Sequence, residues 1–427
     1  MLSCRENFLT ALRDAILYWV EQSFSAKTRI ELDPVGLYYA AMTSREHPAT
    51  FSISAYLSEP VVPHALQQAV SDLMHRLPFL SGRLRRGFFG YYHEILADPP
   101  MIVPTRSGHT FSAYFETGTG HVLRILYGER HFTVETLHSI CDGRGLTKIV
   151  SALLVRYFEI LGIATENAGL IDWSAAPRPE EAEDAFARYA DLKTTNSPTR
   201  LTSTSAERPA YHFDCSPTPA RFVTRKFDLA KVRSAAKTHD ATISEYVLAH
   251  IFRAIAHDRA ARGSKEPITA SVPIDCRSFF PSETYRNFVS DAQIVMPETE
   301  DFAVMMQHLR QQFTKLDADL VQGDINASQK LRNNTRFLPR VAKKPIGKML
   351  ERSDLRRLTT TFSNLGLVKL PKGVEERVEM LEFVLRGQPG IPYSFACIAV
   401  GDALTLTTTV SADDRGITER AAEGLEG

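Results

Sequence analysis

The run His138-Ser139-Ile140-Cys141-Asp142-Gly143 gathers an imidazole, a thiol, a carboxylate and a glycine within six residues. A neutral imidazole is the side chain best matched to take a proton near pH 7. Phe132, Val134, Thr136 and His138 alternate, which puts His138 at the end of a strand, on the face opposite Glu135. A strand end is a rigid platform whose tip opens into a cleft, and this suits a general base. Asp142 lies where the chain turns, and by residue type it serves equally well as the N-cap of a following helix. Gly143 allows a backbone conformation or a close approach that a side chain would forbid. Cys141 is a nucleophile by type, but no positive group stands beside it in the sequence, and it reads as a core thiol. A histidine at a strand end is ordinarily structural, and His-x-x-x-Asp-Gly constrains three positions only. The motif alone therefore leaves catalysis and structure evenly balanced.

The elements that must position these residues follow from periodicity. Residues 131–137 pair with 122–126 as a hairpin across a Gly128-Glu129-Arg130 turn, and residues 50–57 and 88–95 read as further strands. Helical spacing predicts helices over 62–77, stopped by Pro78, and over 146–161, ended by Gly162. Leu9, Leu12, Ile16, Trp19 and Val20 mark an amphipathic helix before the first strand, read as packing on the body rather than docking on a membrane. Composition changes after Trp173: residues 174–219 hold six prolines and an acidic cluster, the pattern of a linker or crossover with a short helix over 182–192. The second half restarts with a strand over 222–227. Helices over 229–238 and 244–261 follow, the latter with Ser244 as its N-cap, then a strand over 268–274. Residues 359–364, 379–385, 393–400 and 404–410 read as an antiparallel meander. The division is an extension over 1–28, a lobe over 29–173, a crossover over 174–220 and a second lobe over 221–427. Each half is a mixed α/β layer, too rich in hairpins for a doubly wound parallel sheet.

Composition narrows the function classes. The chain has 427 residues, 44% hydrophobic and 23% charged, which supplies core for more than one unit and excludes wholesale disorder. Lys plus Arg equals Asp plus Glu at 50 each, which argues against a dedicated nucleic-acid binder. Five scattered cysteines form no zinc or disulfide pattern, so no metal is expected and a reducing, cytoplasmic setting is. No apolar run reaches the length of a membrane span, and the N-terminus lacks a signal-peptide pattern. From Lys330 to Arg357 ten basic residues face only Glu351 and Asp354. This run is either a solvated face or a mouth that attracts the phosphates of a donor.

His138 to Gly143 resembles the HxxxDG motif of the chloramphenicol acetyltransferase-like acyltransferase superfamily, which includes the plant BAHD enzymes, peptide-synthetase condensation domains and alcohol acetyltransferases. Other stretches resemble the bacterial alcohol acetyltransferase-like branch: Leu32-Asp33-Pro34, Arg76-Leu77-Pro78-Phe79-Leu80 and Arg83 to Phe89. In the second half so do Val272-Pro273-Ile274-Asp275-Cys276-Arg277, the run Phe280 to Phe288, and Thr360-Thr361-Phe362-Ser363-Asn364-Leu365-Gly366. Their order holds from about residue 30 to about 410.

The resemblance implies an α/β fold of two similar lobes with mixed sheets and a tunnel between them. It implies His138 as the base that deprotonates an alcohol or amine attacking an acyl thioester. Asp142 and Gly143 become structural motif residues, with Asp142 paired to Arg277 of the second lobe. Ser363, Asn364 and Asn287 fall among the tunnel polar groups that could steady an oxyanion. No bound cofactor is implied; acyl-CoA or a phosphopantetheine thioester is the co-substrate. Leu137 replaces the first histidine of many condensation domains, and the DFGWG loop of BAHD enzymes is absent. The missing histidine favours acyl-CoA as donor, and the missing loop argues against a plant-type BAHD enzyme. The first expectation is acyl-CoA as donor and an alcohol as small-molecule acceptor. Condensation with an acyl carrier protein, or a catalytically silent scaffold in a biosynthetic assembly, stand as the alternatives.

Overall fold

A computed structural model describes residues 29–44, 48–105, 118, 120–165, 171–193, 209–214, 217–387, 390–413 and 415–426. The amphipathic helix expected over residues 8–20 lies outside the described residues. The strands in chain order are β1 (Arg29–Glu31), β2 (Thr50–Leu57), β3 (Gly82–Arg86), β4 (Tyr91–Ile95), β5 (Val103–Pro104), β6 (Leu123–Tyr127), β7 (His131–Leu137), β8 (Pro217–Asp228), β9 (Ile268–Asp275), β10 (Val289–Met296), β11 (Thr360–Val368), β12 (Val378–Leu385), β13 (Tyr393–Val400) and β14 (Ala403–Ala412). They form a five-stranded sheet ordered β12-β2-β7-β6-β5, a six-stranded sheet ordered β10-β9-β11-β13-β14-β8, and a small sheet β1-β4-β3. The fold is α/β with two lobes and mixed sheets.

In the first lobe β2 and β7 alternate cleanly. Phe51, Ile53 and Ala55, with Phe132 and Val134, turn to the core shared with helices Pro63–Arg76 and Gly143–Ile160. The opposite face carries Ser52, Ser54, Thr133 and Glu135, all buried. The second lobe packs its sheet on helices Ile243–Ala261, Phe302–Phe313 and Ile417–Glu426. Strand β13 is apolar from Phe395 to Val400 because it is covered on both faces. Phe395, Cys397 and Ala399 enter the second lobe's core, while Ala396, Ile398 and Val400 enter the first lobe's.

The C-terminal strands are not the antiparallel meander that their turns suggested. Strand β11 runs parallel to both β9 and β13. Strand β12 leaves the second lobe and pairs antiparallel with β2, Phe383 opposite Ile53. Leu381 and Phe383 are buried in the first lobe's core, and that burial holds the strand there. Thr405 Oγ1 donates to the Leu381 carbonyl at 2.8 Å, tying β14 to the exchanged strand. Two smaller expectations also shift. The strand expected from residue 88 starts at Tyr91, because residues 87–90 form the turn from β3, closed by Gly87 N–H on the Gly90 carbonyl. The helix expected from Ser244 starts one residue earlier, at Ile243, and its N-cap is Thr242 rather than Ser244, in a reciprocal box with Glu245.

Candidate active site

Strand β7 ends at Leu137, and His138 follows as the first residue of a turn, held by its N–H on the Ala49 carbonyl at 2.9 Å. The turn leads to Asp142, which does cap the helix Gly143–Ile160: its Oδ1 accepts from Gly145 N–H at 2.7 Å. The other carboxylate oxygen points to the second lobe. There Oδ2 accepts from Arg277 Nη1 at 2.9 Å and from Phe288 N–H at 2.8 Å. The two readings of Asp142, helix cap and partner of Arg277, thus use one oxygen each. A Cβ on Gly145 would lie 2.0 Å from the Tyr285 carbonyl oxygen, so the second lobe's loop approaches this helix as closely as backbone allows. A Cβ on Gly143 would meet only the movable tip of Leu365.

Arg277 shapes that loop. Its guanidinium also donates to the Thr284 and Arg286 carbonyls, and Cys276 N–H closes on the Phe288 carbonyl. The closed loop delivers Asn287, fully buried, to His138: Asn287 Oδ1 lies 3.0 Å from His138 Nδ1. The imidazole is stacked on Tyr39, with ring centroids 4.0 Å apart, and tilted against Phe51 at 4.7 Å. Nε2 makes no hydrogen bond to any described residue. Burial pushes the His138 pKa below its ordinary value, opposed by its own carbonyl, by Asp142 and by Asn287. The ring is neutral at pH 7, the state a base requires.

The remaining tunnel candidates separate. Asn364 is occupied elsewhere: its amide donates to Ser244 Oγ at 2.9 Å and accepts from Gly366 N–H. Ser363 lies on the other face of β11, opposite Ala396 of the first lobe's core, and its hydroxyl has no hydrogen-bond partner among the described residues. Cys141 is fully buried, and that burial drives its thiol pKa upward, away from nucleophilic use. The basic run falls on helices Ala318–Thr335 and Arg340–Leu355, with Arg336, Arg356 and Arg357 just past their ends, and is not wholly solvated. Arg332 pairs with Asp184 at 2.6 Å, and Lys343 donates to the Phe89 carbonyl at the tip of the β3–β4 turn.

Sequence reasoning missed the helix Pro34–Met42, which brings Tyr39 and the buried Asp33 to the site. The signal was present. Asp followed directly by Pro is an N-cap and N1 pair, and Asp33 Oδ1 accepts from Gly36 N–H at 2.7 Å. His93, which contacts Ser139 Oγ at 3.0 Å, had no sequence signal.

No protein-family model matches the sequence, and no curated protein matches it. Solved structures do match its fold. Polyketide synthase associated protein 5 from Mycobacterium tuberculosis aligns with a TM-score of 0.62 at 14% identity, covering 93% of this chain and 97% of that one. The first condensation domain of the CDA synthetase gives 0.62 at 13% identity, covering 94% and 95%. The epimerization domain from the third module of tyrocidine synthetase B gives 0.58 at 11% identity, covering 93% and 94%. At these identities the likeness is one of fold: this chain has the two-lobed architecture of condensation domains over nearly its whole length. No helix among the described residues is long and apolar enough to cross a membrane.

Proposed function

We propose that this protein is an acyltransferase of the condensation type, joining a thioester-borne acyl group to an amine or hydroxyl acceptor. The observation that carries the reading is His138: a neutral, half-buried imidazole, anchored through Nδ1 where the lobes meet, with Nε2 unengaged. As the acceptor's oxygen or nitrogen attacks the thioester carbon, Nε2 takes its proton. The tetrahedral intermediate carries negative charge on the former carbonyl oxygen, and the donor assigned to it is the Ser363 hydroxyl, which bonds to no described residue. Collapse breaks the carbon–sulfur bond, and the leaving thiolate recovers the proton from the imidazolium. No acyl-enzyme is needed, because the thioester is already activated.

For the donor, a carrier-borne thioester is favoured over acyl-CoA. The neighbours in fold are condensation and epimerization domains of synthetases and a polyketide synthase associated protein. The missing first histidine, which by sequence favours acyl-CoA, weighs less than this. The test offers acyl-loaded carrier protein and, separately, acyl-CoA, each with a mixture of amines and alcohols, and follows both donors by mass spectrometry. Acceptor-dependent loss of the acyl group from the carrier supports the reading. Release of free coenzyme A alone moves the donor assignment to acyl-CoA. A carrier that binds without transfer to any acceptor makes the protein a silent scaffold and ends the proposal.

A further inference from the structure

The helix Pro34–Met42 reaches the base twice. Tyr39 stacks on the ring, and Asp33, the helix N-cap, meets the residue that bonds it: Asn287 Nδ2 donates to Asp33 Oδ2 at 3.4 Å. Asp33 and Asn287 are both wholly buried. The close approach is built in, because a Cβ on Gly36 would stand 2.6 Å from the Ser139 carbonyl oxygen and 3.3 Å from Asn287 Nδ2.

An amide has two ends, and turning it over would exchange donor for acceptor at His138. The Asp33 carboxylate decides between them. It accepts from the amide nitrogen, and an amide oxygen placed against it would face negative charge without a proton. Asn287 Oδ1 is therefore turned to the ring, where it can only accept. This requires the proton on Nδ1 and leaves the lone pair on Nε2.

We propose that Asp33, acting through Asn287, is a positioning residue for His138: it orients the amide and thereby steadies the imidazolium that forms when Nε2 takes a proton. This rests on the reading of His138 as the base, but the geometry is a property of the free protein. Other charged and titratable groups face the arrangement. Asp142 bears on His138 and is itself paired with Arg277; Asp291 faces Tyr39; Arg286 lies 3.3 Å from Asp33 Oδ2, and Asp184 is near. Arg286 also donates to the Glu31 and Ala182 carbonyls, so it braces the loop and Asp33 together. Burial raises the Asp33 pKa to about 6, against the opposing charge of Arg286, so the carboxylate form that orients the amide prevails above that pH.

The experiment is two-bond proton–nitrogen NMR on the full chain labelled with 15N-histidine, in a pH series, with His138 assigned by its loss in His138→Gln. Wild type is expected to show a proton on Nδ1 and a bare Nε2 in the neutral ring. Asp33→Asn, isosteric and still an N-cap, is expected at pH 7.5, where Asp33 is ionised and the ring neutral, to move a substantial share of the His138 proton from Nδ1 to Nε2, although Asp33 touches no atom of that ring. Asn287→Ala should move it at least as far, and Asp33→Asn added to Asn287→Ala should then change nothing more. A wild-type ring protonated on Nε2, or an unchanged tautomer in Asp33→Asn at pH 7.5, overturns the proposal, and the latter holds even if Asn287→Ala does not fold. A full Asp33→Asn effect that survives in the Asn287→Ala background also overturns it, because the carboxylate then acts through space. None of these readouts needs a substrate, so failure of the proposed reaction and failure of this inference are separately visible.

Discussion

Asp142 and Arg277, 135 residues apart in the chain, share an ion pair of 2.9 Å in which neither side chain is more than a tenth exposed. The pair joins the helix that follows His138 to the loop that presents Asn287. It therefore couples the stability of the lobe contact to the geometry around His138.

Breaking this pair should cost about 3–5 kcal/mol: Arg277→Met leaves Asp142 buried without an opposing charge, and Asp142→Ala leaves Arg277 with Asp275 alone, at 2.9 Å. Asp142→Ala loses the helix cap as well and is expected at the upper end. Urea unfolding of Asp142→Ala, Arg277→Met and the double variant measures it. The double variant should be more stable than the sum of the two losses implies.

His138→Ala is expected to lower turnover on an established substrate by about 10²–10⁴-fold, the usual worth of a general base. Its unfolding transition should remain single and cooperative. Near wild-type turnover in this variant would remove the mechanism.

Stability should respond to acid through His93. Burial lowers its pKa to about 3, with Arg286 adding to the effect. The unfolded chain binds that proton below about pH 6.5, whereas the folded chain refuses it down to about pH 3. His93 therefore contributes a loss of stability as pH falls through this window, about 1.4 kcal/mol per pH unit. Buried carboxyls work the other way: Asp33 is raised to about 6 and Glu135 to about 7, each mainly by burial. Unfolding free energies of His93→Gln from pH 7 to 4, from denaturant titrations, should fall less steeply than wild type by about that slope. Parallel curves would show that His93 is not held neutral.

If the basic helices steer a phosphate-bearing donor, the effect is long-ranged and screened by salt. Donor KM should rise with ionic strength while saturated turnover holds. Reversal of Lys343 and Lys344 to Glu should reproduce the high-salt KM and flatten the remaining dependence. A donor KM that stays constant up to ~0.5 M salt would leave the run as surface alone.

Much of the first lobe was legible in its sequence. The alternation from Phe132 to His138 placed His138 at a strand end, and the strand runs as read, from His131 to Leu137. The apolar spacing behind Asp142 foretold the helix Gly143–Ile160. Such features depend on the 2.0 and 3.6 residue periods, which neighbouring residues set between themselves. The capping role of Asp142 was equally local, and so was the Asp33-Pro34 signal that went unread.

What tertiary structure alone decided was partnership. Strand β12 has the alternation of a hairpin strand, and nothing in residues 378–385 says that its neighbour is β2 of the other lobe rather than β13. Asn287 and Asn364 are alike in type and were both candidate tunnel groups. One is carried by the Arg277-braced loop to His138, while the other turns away to Ser244. A side chain's hydrogen-bonding capacity belongs to its residue type, but the atom it meets is fixed by how distant segments pack. Burial then sets the energetics: the same imidazole that would titrate near 6.5 in water stays neutral at His138 because packing of Tyr39, Phe51 and the second-lobe loop removes the solvent its charge would need.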